Sequence, residues 1–331
     1  MCFYMAFLSV ARHPCPRNSP DLFYVRKKGD KNMNNLFSIC RKGDKLCGNI
    51  IWSEEQIAFI TKHYQQNHST GELSKLFGVS TEAIRTVLRK NKIKVYSLKE
   101  LQKLKFPRNS NFFQQIDSKE KAYWLGFLYA DGYISKTNEI RINLKRNDEE
   151  HLKKFLKAIE AINSNIHYSQ KVTENKIYYQ AYCNIRDDKL VEDLNNKGCT
   201  NNKSLILTFP SEEKVPKEFI SHFVRGYFDG DGSIHFVLSG HAKTPNYRIS
   251  FAGTKDFLIA LRKILKVEHL SLENRGNYYV LAIYGNRQIE PILKWIYEDA
   301  TREIWLDRKR QIYENYLLQR MGSEPINIGC E

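Results

Sequence analysis

The stretches WLGFLYADG (residues 124–132) and VRGYFDGDG (residues 224–232) decide the fold of this chain. Each stretch reads as a short, mostly apolar helix that ends on an aspartate followed by a glycine. The two copies repeat the same order of apolar, small and acidic residues within one chain. We therefore interpret them as two equivalent helices around which the remaining sequence is organised.

Small residues recur four positions apart in both copies, at Gly126 and Ala130 and at Gly226 and Gly230. Residues four apart lie on the same face of a helix, so each helix carries a stripe without bulky side chains. Two such stripes allow helices to pack backbone against backbone. The spacing predicts that the two helices form a closely packed pair.

This pairing would bring Asp131 and Asp231 together, each at the C-terminus of its helix. Helix C-termini carry negative partial charge, and two neighbouring carboxylates repel each other. A divalent cation bound by both carboxylates removes the conflict, and carboxylate oxygens suit Mg²⁺ or Ca²⁺. For either copy alone, the alternative is that the aspartate and glycine only end a helix in a turn.

Length and charge limit the classes of function that the chain can have. The chain has 331 residues, a formal net charge of +15 and 42% hydrophobic residues. The length allows about two domains with appendages. The positive charge indicates an acidic partner, and nucleic acid fits better than a membrane because no apolar run approaches the roughly 20 residues that a span requires. A basic but otherwise ordinary soluble protein is the alternative on charge alone.

The seven cysteines are odd in number and form no C-x-x-C pair. This spacing indicates neither a zinc site nor a disulfide framework. We therefore expect a reducing intracellular compartment, which would be a bacterial or phage-host cytoplasm or an organelle.

The two ends of the chain carry little periodic signal. Residues 1–50 show no helical or strand period and contain two short clusters of basic residues. We expect a disordered extension there, and the alternative is a basic arm that contacts DNA phosphates. Residues 321–331 are expected to form a flexible tail.

Residues 52–95 read as three short helices. Ser53 and Ser80 suit helix starts, and Gly78 suits the end of the middle helix. The order of helix, glycine turn and helix resembles a helix-turn-helix, and a plain three-helix bundle is the alternative. The outward basic residues that would contact DNA are Arg85, Arg89 and Lys90. A lysine-rich linker is expected at residues 96–111.

The same order of elements follows each central stretch. Alternation of apolar and polar residues marks strands, most clearly at residues 139–145 and in a hairpin that joins residues 166–173 to residues 176–186. The order αββαββα occurs twice, at residues 112–210 and 211–320. We predict an α+β fold of two αββαββα domains that are related by a pseudo-two-fold axis and preceded by a small all-α module.

Polar side chains on alternating strand positions would form one face of each sheet. Such strands can enter the major groove of DNA, where each base pair presents a distinct pattern of donors and acceptors. The alternative is that any antiparallel sheet turns a polar face to water. The candidate DNA-contacting residues in and beside the strands are Arg141, Asn143, Lys145, Tyr178, Gln180, Tyr182, Asn184, Arg248, Ser250 and Arg275.

The two copies resemble the LAGLIDADG motif of homing endonucleases. The resemblance covers roughly residues 112–318 and includes FFQQIDSKEKAYWLGFLYADGYI (residues 112–134) and YEDATREIWLDRKRQIY (residues 297–313). We expect one helix over residues 300–318, which includes most of the second of these stretches. Two motifs in one chain are similar to the single-chain, pseudo-dimeric branch of the family. The first copy departs from the motif because Tyr129 stands where the first aspartate would be.

The resemblance implies metal-dependent hydrolysis of double-stranded DNA. Asp131 and Asp231 would hold Mg²⁺, with Mn²⁺ as a substitute and Ca²⁺ supporting binding without cleavage. The family also carries a basic residue near each active site, and by motif position these are Lys203 and Lys309. Each lysine could instead be a solvated surface charge.

We expect a DNA endonuclease that binds one long asymmetric duplex site as a monomer and leaves short 3′ overhangs, as the resemblance implies. A binding-only protein on the same fold is the main alternative, either a transcription regulator or a maturase that binds intron RNA. An intein is disfavoured because the sequence ends without a His-Asn junction.

Overall fold

The computed structural model of the chain describes residues 40–42, 49–173, 176–237 and 246–320. The chain divides into two compact units, residues 1–105 and residues 106–331. Most of the extension expected at residues 1–50, and the tail expected at residues 321–331, lie outside the described residues.

The described part of the first unit combines two short paired strands with four helices. Its elements in chain order are β1 (Cys40–Lys42), β2 (Asn49–Ile51), α1 (Glu54–Asn67), α2 (Thr70–Phe77), α3 (Thr81–Lys90) and α4 (Leu98–Lys105). Strands β1 and β2 pair antiparallel. The sequence did not predict this pairing because three residues per strand are too few to show an alternating pattern.

The helix boundaries of the first unit follow the predicted signals. The Ser53 hydroxyl accepts a hydrogen bond from the Gln56 amide, and the Gln56 side chain accepts one from the Ser53 amide, which forms a capping box. Ser80 caps α3 by accepting from the amide of Ala83. Gly78 ends α2 in the left-handed conformation, with φ of 63°. These three predictions are confirmed.

Helices α1, α2 and α3 share a small apolar core. Each helix turns apolar residues at helical spacing toward the other two, and this buries them from water. The fully or almost fully buried members are Ile60, Tyr64, Leu73, Phe77, Ile84, Val87 and Leu88.

The expected linker at residues 96–111 contains helix α4. Ser97 and Glu100 form a reciprocal cap, because each side chain accepts a hydrogen bond from the other residue's amide. This S-x-x-E pattern is a helix-start signal that the linker interpretation overlooked. Downstream, the amide of Asn109 donates to the carbonyl of Ile159 at 2.8 Å, so this end of the stretch is attached to the second unit.

The second unit contains the predicted order of elements twice. The first copy is α5 (Lys119–Asp131), β3 (Gly132–Ile134), β4 (Glu139–Lys145), α6 (Glu149–Ala158), β5 (Ile166–Thr173), β6 (Lys176–Arg186) and α7 (Asp188–Lys197). The second copy is α8 (Ile220–Asp231), β7 (Gly232–Val237), β8 (Asn246–Gly253), α9 (Lys255–Ile264), β9 (Leu272–Asn274), β10 (Tyr279–Tyr284) and α10 (Asn286–Tyr297). The prediction of two αββαββα domains is confirmed.

Each copy forms a four-stranded antiparallel sheet. The strand orders β3-β4-β6-β5 and β7-β8-β10-β9 are equivalent. In β4 the burial alternates strictly, with Ile140, Ile142 and Leu144 buried and the residues between them exposed. The buried faces of both sheets belong to one continuous apolar core with helices α5 and α8. The outer faces are therefore left for solvent or a ligand.

The prediction of one helix over residues 300–318 is wrong. One short turn covers Arg302–Ile304, and helix α11 covers Asp307–Arg320. The chain is extended at Trp305, and the amide of Leu306 donates to the Asp229 carboxylate at 2.8 Å. This contact with another helix interrupts the periodic stretch.

Candidate active site and nucleic-acid interface

Helices α5 and α8 pack backbone against backbone at their glycines. A methyl carbon placed on Gly226 would lie 2.0 Å from the carbonyl oxygen of Tyr123. One placed on Gly126 would lie 2.0 Å from the carbonyl oxygen of Phe223. The two contacts are equivalent under exchange of the helices, as a pseudo-two-fold axis between them requires. Only glycine allows this approach.

The next small residues meet one turn further along. A methyl carbon on Gly230 would lie 2.2 Å from the Cβ of Ala130 and 3.4 Å from the Oδ2 atom of Asp131. The four small residues expected at the helix contact therefore lie there. Their contact sets the positions of the two helix C-termini.

Asp131 and Asp231 are the last residues of α5 and α8, and the structure brings them close enough for their charges to interact. Burial, and then the charge of Asp231, raise the pKa of Asp131 to about 6. Burial also raises the pKa of Asp231, against the opposing effect of Lys203 and Lys309. Asp231 remains open to solvent on one side, although protein atoms crowd it on the others. Asp131 is half-buried, so solvent reaches both residues of this carboxylate pair.

The two carboxylates fit a hard divalent cation. Their oxygens are the ligands that Mg²⁺ and Ca²⁺ prefer, and a cation would remove the repulsion from Asp231 that, after burial, raises the pKa of Asp131. Within the described residues no group of three or more His, Cys, Asp or Glu side chains forms a metal site. A cation held here would therefore need further oxygen ligands from water or from a bound phosphate.

Both predicted lysines lie beside the ends of the paired helices, and both are buried rather than solvated. The Nζ of Lys203 donates to the carbonyl of Ala130 at 3.0 Å. The Nζ of Lys309 lies within hydrogen-bonding distance of four carbonyl oxygens at the end of α8, at 2.6 to 3.3 Å. Burial lowers the pKa of Lys309 to about 8, although nearby aspartates oppose this shift. Both ammonium groups compensate the negative ends of the helices.

We expect Lys309→Met to lower the melting temperature more than Lys203→Met. The first substitution removes the ammonium donor from four carbonyls, of which that of Phe228 keeps the Gly232 amide as a second donor. An unsatisfied buried group costs about 1–3 kcal/mol. The second substitution removes a donor only from the Ala130 carbonyl. Thermal unfolding followed by circular dichroism in metal-free buffer measures the difference. Equal shifts would contradict the assignment of Lys309 as the cap of α8.

A buried polar network crosses from α5 to α8. The Tyr123 hydroxyl donates to Asp229 at 2.7 Å and lies 3.0 Å from the Nε2 atom of His151. The Asp229 carboxylate also accepts from the amide of Leu306. Burial raises the pKa of Asp229 and lowers the pKa of His151 well below its usual value. The network joins both copies, and the sequence analysis did not identify it.

In the first motif, Tyr129 occupies the position that Asp229 has in the second motif. Its hydroxyl donates to the carbonyl of Lys197, so it holds α7 against α5. The two motifs thus carry a structural tyrosine and a structural aspartate at equivalent positions. Both lie two residues before the clustered carboxylates.

The outer face of the first sheet gathers all the residues predicted on β4 and β6. Arg141 lies opposite Asn184 and donates to it at 2.7 Å, and Asn143 donates to Gln180 at 3.3 Å. The other members on these two strands are Lys145, Tyr178 and Tyr182. The register adds residues that the sequence analysis missed, namely Tyr133 on β3 and His167, Ser169 and Lys171 on β5. Strand pairing alone reveals them.

The outer face of the second sheet is less polar. Arg248 and Ser250 lie on β8, and Ser250 pairs with Ser233 of β7 through their hydroxyls at 2.6 Å. Arg248 stacks on the ring of Tyr284. Arg275 lies in the turn after β9. Each predicted residue is at the surface, but the two arginines both pair with Glu273.

The predicted basic residues of the first unit lie on α3. Arg85 and Arg89 both pair with Glu82, at 3.4 Å and 2.6 Å. These hydrogen bonds lower the pKa of Glu82. Lys90 is exposed and has no ion pair within the described residues. The structure does not bring these residues together with the carboxylate pair in one unit.

No family model matches the chain. The chain is 25% identical over 203 residues to the replication factor C small subunit of Methanocaldococcus jannaschii, which covers 60% of this chain and 10% of that protein. It is 23% identical over 232 residues to the probable translation initiation factor IF-2 of the same organism, which covers 63% of this chain and 18% of that protein. The chain therefore spans less than a fifth of the length of these curated relatives.

Solved structures of meganucleases are similar to the chain. The LAGLIDADG meganuclease I-CpaMI bound to uncleaved DNA has a TM-score of 0.40 and 12% identity, covering 61% of this chain and 92% of that chain. The LAGLIDADG homing endonuclease I-GzeII in complex with its DNA target has a TM-score of 0.38 and 11% identity, covering 61% of this chain and 91% of that chain.

Among the described helices of this chain, none combines the length and apolar character that a membrane crossing requires.

Proposed function

We propose that this chain is a site-specific endonuclease that hydrolyses phosphodiester bonds of double-stranded DNA. One observation carries the proposal: two helices pack backbone to backbone and end side by side in Asp131 and Asp231. Two neighbouring carboxylates that are partly removed from water are unfavourable by themselves. Their arrangement is explained if a divalent cation and a DNA phosphate are the natural ligands of the carboxylate pair.

The residues at and beside the carboxylate pair would have different roles. Asp131 and Asp231 would hold the cation, which is Mg²⁺ or Mn²⁺ for cleavage and Ca²⁺ for binding without cleavage. A bound cation would supply an activated water and stabilise the leaving 3′-oxygen. Lys309 acts as a positioning residue, because backbone carbonyls occupy its donors. Lys203 keeps a second positive charge beside the carboxylates.

The two outer sheet faces would contact DNA on either side of the carboxylate pair. Strand ribbons fit the major groove, and Arg, Lys, Asn and Gln side chains are the ones that read base edges there. The first face carries Arg141, Asn143 and Gln180 for this role. Because the two sheets differ in sequence, one chain would bind one long asymmetric site as a monomer.

The first unit would add DNA contacts of its own. The glycine turn between α2 and α3 is typical of a helix-turn-helix, and α3 would be the recognition helix. In the free protein Arg85 and Arg89 form ion pairs with Glu82. Lys90 is therefore the most available of the three residues for a phosphate contact. The benefit for affinity would be an effective-concentration effect.

The test is cleavage of a duplex library with a long randomised region in Mg²⁺, followed by sequencing of the ends. We expect one long site to be cut to short 3′ overhangs in Mg²⁺ or Mn²⁺, and the same site to be bound uncut in Ca²⁺. Duplexes that are enriched by binding in Ca²⁺ but never cut would contradict the proposal. The chain would then be a binding protein, such as a maturase or a transcription regulator.

The selected site also tests the role of the first unit. A chain that begins at residue 106 should still cut this site, but more weakly and with a shallower salt dependence. Each lost phosphate contact lowers the slope of log affinity against log salt by about 0.9. Cleavage titrations of both chains at several salt concentrations measure this change. Unchanged affinity and slope would show that the first unit does not contact the DNA.

A further inference from the structure

The outer face of the second sheet carries a three-residue ion cluster. The Glu273 carboxylate lies 2.5 Å from Arg275 and 3.7 Å from Arg248. These two arginines are both predicted DNA contacts. One carboxylate therefore binds two of the cations that this face offers to DNA.

The strand register explains how a distant arginine reaches the carboxylate. Arg248 lies opposite Tyr284 on β10, while Glu273 lies opposite Val280 on the same strand. Between these two positions β10 carries Ala282, whose small side chain leaves the outer face clear. The extended Arg248 side chain therefore crosses the strand diagonally and stacks on the Tyr284 ring, 5.0 Å from its centroid.

The cluster is weakly held in the free protein. The side chains of Glu273 and Arg275 are 34% and 54% exposed, so water screens their attraction. Exposed ion pairs contribute only about 0.2–1 kcal/mol each. The Nε of Arg248 is buried and makes no hydrogen bond within the described residues. Arg248 is thus held in place with one of its donors unsatisfied.

Among its described residues, the first sheet has no equivalent cluster. Glu139 lies 3.4 Å from Arg141, but Arg141 also donates to Asn184. Lys145 and Lys171 form no ion pair in the part of the chain that the structure describes. The two faces therefore differ in how many free cations they present to phosphates.

We propose that Glu273 is a specificity-determining residue, which withholds Arg248 and Arg275 from the phosphates of non-cognate DNA. The proposal rests on the DNA-binding function proposed above. Binding to non-cognate DNA is almost entirely a matter of phosphate charge, so a carboxylate beside two arginines weakens it both by pairing and by repulsion. On the cognate site, base contacts hold the sheet against the DNA closely enough for the arginines to exchange partners.

The test is the salt dependence of binding by the full chain to a duplex that lacks the selected site. Measurements in EDTA prevent cleavage, and the wild type is compared with Glu273→Gln. Each released arginine should steepen the slope of log affinity against log salt by about 0.9. At roughly 0.1 M salt this corresponds to about 8-fold tighter binding for one arginine and about 60-fold for two.

Glu290→Gln is the matched control. Glu290 pairs with Arg320 at 3.3 Å with similar exposure, but it lies on α10, which packs on the other face of the sheet. The substitution removes the same charge, so its slope should stay at the wild-type value. A triple variant with Arg248→Ala, Arg275→Ala and Glu273→Gln should lose the gain of the single variant.

The outcomes separate this proposal from the proposed function. A wild-type slope for Glu273→Gln in a protein that melts normally would overturn the proposal and leave DNA binding intact. An equal increase in Glu290→Gln would also overturn it, because net charge alone would explain both. If the wild type binds no duplex DNA at all, the proposed function fails, and this proposal fails with it.

Discussion

We expect Gly226→Ala to destabilise the unit formed by residues 106–331 severely and to abolish cleavage. The added methyl carbon would lie 2.0 Å from the Tyr123 carbonyl oxygen and 2.8 Å from the Phe127 amide nitrogen. Both are backbone atoms within α5, so no side-chain rotation relieves the clash. The two helices must move apart, and this would also displace the carboxylates at their ends.

The size of this effect follows from the cost of overpacking, which is about 1–3 kcal/mol and larger where the backbone cannot yield. For a unit of this size each kcal/mol lowers the melting temperature by about 2–4 °C. Because both clashing atoms belong to the backbone, we expect a cost of about 3 kcal/mol or more, so the transition of this unit should fall by roughly 6–12 °C or disappear. Circular dichroism melts of the full chain measure it.

Gly71→Ala is the control for this substitution. Gly71 lies in helix α2, and a methyl carbon there would meet no atom within 4 Å. Alanine at an open helix position stabilises by up to about 1 kcal/mol. A Gly226→Ala protein that melts like the wild type would show that the glycine does not lie at the helix contact.

We expect Asp131→Asn and Asp231→Asn each to reduce double-strand cleavage by at least a thousand-fold, which corresponds to about 4 kcal/mol of transition-state stabilisation. Each substitution removes a charged oxygen ligand while it preserves the shape of the side chain. The helix contact depends on the small residues and should remain. Duplex binding in Ca²⁺ should therefore stay within several-fold of the wild type.

A second readout does not depend on cleavage. A cation that binds only the folded protein raises its melting temperature. Ca²⁺ should therefore raise the melting temperature of the wild type and of Asp256→Asn, a control on the exposed surface of α9. It should have little effect on the two active-site variants. Near-normal cutting of both strands by either variant would show that the metal assignment is wrong.

Much of the fold could be predicted from the sequence because local signals agreed with the tertiary structure. The hairpin of β5 and β6 has the bounds that the alternating pattern predicted. The caps at Ser53 and Ser80 are formed by the side chains that the sequence offered. Helix α4 was missed although its capping box was visible, because the lysine-rich composition favoured a linker.

The sequence by itself determined the helix pair and the polar sheet faces. Small residues four apart permit only one close contact between the two helices, and alternation along a strand assigns each side chain to a face. The candidate carboxylates Asp131 and Asp231 follow from that contact, because they end the paired helices. These features depend on spacing within one element.

The tertiary structure alone decided which partners the charged groups take. Lys309 caps α8, Asp229 accepts from Tyr123 and Leu306, and Glu273 reaches Arg248 across a strand. These partners lie on separate elements of the chain. They meet only after the sheets and helices have packed, so no local period of apolar and polar residues encodes them. For the same reason the break before α11 depends on the Asp229 carboxylate, which lies 77 residues before Leu306 in the chain and accepts a hydrogen bond from its backbone amide.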